Sequence, residues 1–132
     1  MLKDCIKHII ELIKSEFEDF VKVDIYRNEF DIQSEWNPQF PCCLIRVDSY
    51  YPEEYNESHQ GVSYTGDLSL FVGIKTSSGK DGLELSEDVF HYFNNLIEEN
   101  YGYIIKELLY VENKYGVEVY GIRISIHFKK LS

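Results

Sequence analysis

The chain has 132 residues and a net charge of −10, with thirteen basic against twenty-three acidic side chains. That length fits one domain able to bury roughly 70% of its unfolded surface, and the eleven Tyr and eight Phe exclude a disordered polymer. The charge argues against specific nucleic-acid binding, which draws its affinity from Lys and Arg neutralising phosphates, and no basic cluster exceeds Lys129-Lys130.

The chain opens with Leu2, Cys5, Ile6, Ile9, Ile10, Ile13, Phe17 and Phe20 at three- and four-residue steps, opposite Lys3, Lys7, Glu11, Lys14 and Glu18. One apolar stripe at that spacing predicts a helix over about residues 2–18. Val21, Val23 and Ile25 then alternate with polar residues, which predicts a short half-buried strand. Residues 27–40 carry Asn, Asp, Ser and Pro without a period and read as a loop with one extended piece.

From Cys42 to Tyr50 a second strand is expected, with Cys43, Ile45 and Val47 on one face and Leu44, Arg46 and Asp48 on the other. Residues 51–61 are acidic and rich in Tyr, and read as a loop or projecting tip. Residues 62–76 alternate again around Leu68, Leu70, Val72 and Ile74, a long strand in which Gly66 suggests a bend or bulge. A turn at 77–82 precedes a second helix with Leu85, Val89, Phe90, Phe93, Leu96 and Ile97 on one stripe, capped by Ser78 or Ser86 and ending near Asn100. A strand over 108–112, a turn at 113–116 and a final strand over 117–129 complete the chain. In the final strand Ile122, Ile124, Ile126 and Phe128 alternate with Arg123, Ser125, His127 and Lys129.

The order α-β-β-β-α-β-β predicts an α+β, two-layer sandwich. Its sheet, mixed or mainly antiparallel with about five strands, would carry both helices on one face. The whole chain, 1–132, reads as a single domain, since no linker, repeat or low-complexity tract divides it. The longest apolar runs are a few residues, too short for a membrane span. Cys5, Cys42 and Cys43 are odd in number and two are adjacent, so reduced thiols and assembly in a cytoplasm are expected.

No residue pattern points to catalysis, a cofactor or a metal. His8 lies three residues after Cys5 on the first helix, but a metal site needs three or four matched ligands. His91 and His127 read as surface or packing residues, and His59 stands among the loop carboxylates Glu53, Glu54 and Glu57. Solvated loop carboxylates do not supply the isolated, shifted group that acid–base chemistry requires. Cys42-Cys43 opens an apolar strand without a basic neighbour to lower a thiol pKa. Gly79-Lys80 follows a strand and precedes a helix but lacks phosphate-loop spacing.

Tyrosine is the distinctive feature. Tyr50, Tyr51, Tyr55 and Tyr64 surround the acidic loop with Glu53 and Glu54, and Tyr110, Tyr115 and Tyr120 surround the last hairpin. Tyr is enriched in interfaces and also fills half-buried strand positions. Tyr50, Tyr51, Glu53, Glu54, Tyr55, Tyr64 and Tyr115 are the candidate interface.

The leading helix, the strand PCCLIRV at 41–47, the long loop and the strand LSLFVGI at 68–74 come first, followed by the helix LSEDVFHYFNNLI at 85–97 and the strand VEVYGIRISIHF at 117–128. In order, lengths and hydrophobic pattern this resembles the tail-terminator or tail-completion proteins of tailed phages and phage-tail-like particles. The resemblance implies a virion structural protein and not an enzyme. It implies a homo-oligomer, a hexameric ring that caps the tail tube and joins it to the neck or head. Tube, sheath or neck proteins would be its partners, without specific nucleic-acid binding, a membrane or a cofactor. Its location would be the bacterial host cytoplasm and then the particle. A small adaptor or inhibitor domain with one protein partner is the second reading of the same residues, and an enzyme with an unfamiliar site is a distant third.

Overall fold

The structure, a computed structural model, describes residues 1–27, 39–53, 63–114 and 116–128. Chain order gives α1 (Leu2–Glu16), β1 (Lys22–Ile25), β2 (Cys42–Pro52), β3 (Tyr64–Lys75), a single 3-10 turn (Thr76–Ser78), α2 (Gly82–Asn95), β4 (Tyr101–Lys114) and β5 (Val117–Phe128). The five described strands form one mixed sheet in the order β1-β2-β3-β5-β4, in which the β1–β2 pair is parallel and the other described pairs are antiparallel. Both helices lie on one face, so the fold is the α+β two-layer sandwich that the periodicities predict.

The core is made by alternation. Cys43 and Ile45 of β2, Leu68, Leu70, Val72 and Ile74 of β3, and Ile122, Ile124 and Ile126 of β5 share one face. Against it pack Cys5, Ile6, Ile9 and Ile13 from α1 and Leu85, Val89 and Phe93 from α2. Burying each such side chain contributes about 1.5–3 kcal/mol relative to leaving it in water. Gly82 allows α2 to approach closely, since a Cβ there would meet Ile74 Cγ2 and Tyr120 Cε2 at 3.2 Å.

Several local expectations are corrected. The cap of α2 is Asp81, whose Oδ1 accepts the Glu84 N–H at 3.1 Å; Ser86 lies inside the helix, and Ser78 belongs to the turn before it. The helix ends at Asn95, short of the predicted 100, and leaves Ile97 91% exposed. The bulge near Gly66 lies on β2 instead, at Asp48, between the pairs Val47↔Leu68 and Ser49↔Asp67. Gly66 sits beneath Leu2, Tyr50 and Phe128. The strand expected over 108–112 starts at Tyr101 and runs to Lys114.

Candidate interface on the helix-free sheet face

Period-two geometry sends the other half of each strand to the face that carries no described helix. The register aligns Thr65 with His127, Asp67 with Ser125, Ser69 with Arg123 and Phe71 with Gly121. It also brings Ser49 beside Asp67, Tyr51 beside Thr65 and Glu107 beside Arg123. Residues distant in sequence thus form one row across four strands.

These groups are tied together by hydrogen bonds. The Ser49 and Ser125 hydroxyls donate to the two oxygens of Asp67 at 2.8 and 2.5 Å. The Ser69 hydroxyl donates to Asp48 at 2.5 Å, and Arg46 Nε donates to the other Asp48 oxygen at 2.7 Å. Arg123 Nη1 donates to Glu107 at 3.1 Å. At the row's end Thr65, Glu53 and His127 meet, with Thr65 Oγ1 3.0 Å from His127 Nδ1 and the Glu53 carboxylate bonded to both. Among the described residues no buried side-chain nitrogen or oxygen lacks a partner.

Burial would raise the Asp67 carboxyl, but bonds from Ser125, Ser49 and Tyr51 and the nearby Lys106 ammonium bring it below its ordinary value. Bonds from Thr65 and then His127 lower Glu53 likewise. Both therefore stay ionised at neutral pH, unlike a general acid or base poised near pH 7. The Thr65–His127–Glu53 contact also differs from a nucleophile–base–orienter relay. There the base uses one ring nitrogen for each partner, whereas here Thr65 and Glu53 meet the same Nδ1. It joins β2, β3 and β5.

Beyond the polar row the face turns apolar. Leu44, Phe71 and Val119 are buried there, apart from the helix-side core. Tyr26 packs on Phe71 at 5.0 Å between ring centres, and the Arg46 guanidinium lies 4.8 Å above the same ring. A dimple of about 370 Å³ opens over Gly121, lined by Phe71, Leu109 and Val111 with Arg46 and Arg123 at its rim. A second hollow of about 240 Å³ lies among Tyr51, Asp67, Lys106 and Ser125. Shallow apolar ground bordered by paired charges has the character of a protein interface.

The predicted tyrosines do not form one patch. Tyr51 and Glu53 belong to the helix-free face, whereas Tyr50 stacks on Tyr64 at 5.3 Å and touches Phe128 on the helix side. Glu54, Tyr55, Tyr115 and His59 lie outside the described residues. Thr65, Asp67 and Ser125 join this face without having stood among the candidate interface residues. Their signal was the polar half of the β3 and β5 alternation, and His127 stood there as a surface residue.

The remaining candidates take structural places. His8 Nε2 meets the Glu98 carboxylate at 2.8 Å, Glu98 also accepts the Tyr103 hydroxyl, and the cluster ties α1 to the start of β4. Burial, with the Glu98 charge nearby, pushes the Cys5 thiol up to about 12, and burial raises Cys43 further, so neither is a ready thiolate. Lys80 borders a hollow shared with Asp19, Asp81, Glu84 and Asp88, whose charges would repel a phosphate. Among the described residues no three His, Cys, Asp or Glu side chains are placed to hold a metal ion. No described helix is long and apolar enough to cross a membrane.

No known family profile matches the chain. Over 73 residues it is 26% identical to the phosphoribosylamine–glycine ligase of Clostridium acetobutylicum, a stretch covering 54% of this chain and 18% of that enzyme. The chain thus spans less than a fifth of the curated relative it matches.

Proposed function

We propose that the chain is a virion structural subunit, a tail-terminator or tail-completion protein. It forms a ring, hexameric in that family, on the tail tube and joins it to the neck or head. The observation that carries the reading is the sheet itself. Its element order is the one on which the sequence's resemblance to that family rests, and its second face, which no described helix covers, is tied together by hydrogen bonds. A partly apolar face whose described carboxylates are ionised and hydrogen-bonded is suited to a neighbouring protein. The net charge of −10 fits a subunit that stands beside DNA without gripping it. On this reading the protein assembles in the host cytoplasm and ends in the particle, with tube, sheath or neck proteins as partners.

The test is the mass of the purified chain by native mass spectrometry and light scattering, alone and with tail-tube protein, followed by electron microscopy of the assemblies. Closed rings, free or seated on tube ends, are the expected result. A chain that stays monomeric in both conditions overturns the proposal.

A further inference from the structure

We draw no further inference here: the strongest candidate, the apolar dimple over Gly121 lined by Phe71, Leu109 and Val111 on the sheet face that carries no described helix, carries nothing because nothing among the described residues shows what covers it.

Discussion

The two faces of the sheet are built from the same strands and differ in what holds them. On the helix side, Ile9, Leu70, Ile122 and Phe93 are essentially removed from water, and shape is set by packing. On the other side, Asp48 and Asp67 collect the hydroxyls of Ser69, Ser49 and Ser125, and shape is set by directed bonds between partly wet groups. Packing contributes in proportion to apolar area, whereas a hydrogen bond made in exchange for water contributes only about 0.5–1.5 kcal/mol. The first face therefore supplies most of the stability, and the second supplies geometry and charge at a surface another molecule can reach.

That contrast predicts its own largest effect. Phe93→Ala, a full truncation at a site with no exposure, should cost about 3–5 kcal/mol in urea unfolding. Asp67→Ala on the opposite face removes an acceptor shared by Ser49, Ser125 and Tyr51 and should cost about 1–3 kcal/mol. Equal costs would mean that the polar row carries as much of the fold as the core, and would break the contrast.

The helix-side face was largely legible from the sequence, because its signal is local: the stripe of α1 and the alternations of β3 and β5 need only neighbouring residues. The polar row was not. Thr65 and His127 are 62 positions apart and Glu53 and His127 are 74 apart, and their meeting depends on β5 lying beside β3 after a crossover. The start of β4 was hidden for a different reason. Its bulges shift the phase, so the helix-side series runs Tyr103, Ile105, Leu108, Tyr110, and no steady period of two survives. The overlong α2 came from Leu96 and Ile97, which continue the apolar stripe after the backbone has left the helix.

The next effect is pH-dependent and belongs to the polar face. Asp67 and Glu53 have lower pKa values folded than unfolded, so between those values the unfolded chain holds more protons. Their contribution is complete above the unfolded carboxyl values of about 4 and is lost as pH falls through the folded ones. The partly exposed sites keep this modest. Denaturation midpoints followed from pH 7 to pH 2 should fall less steeply in Asp67→Asn and Glu53→Gln than in the parent. Parallel curves would show that these carboxylates contribute nothing to the acid limb.

The smallest effect isolates the two faces within adjacent residues. Ile104 and Ile105 share one strand, one residue type and one edge position, but Ile105 faces Ile124 on the helix side and Ile104 faces Ser125 on the other. Ile105 packs against the core, and Ile104 is 44% exposed. Both lose the same β-branched preference on substitution by alanine, so that contribution cancels between them. What remains is burial. Measured on dilute, unassembled protein, Ile105→Ala should cost about 2 kcal/mol and Ile104→Ala about 0.5 kcal/mol. If the two were equal, β4 would be held by its pairing with β5 and not by the layer beneath it, and the division of labour between the faces would stop short of this edge.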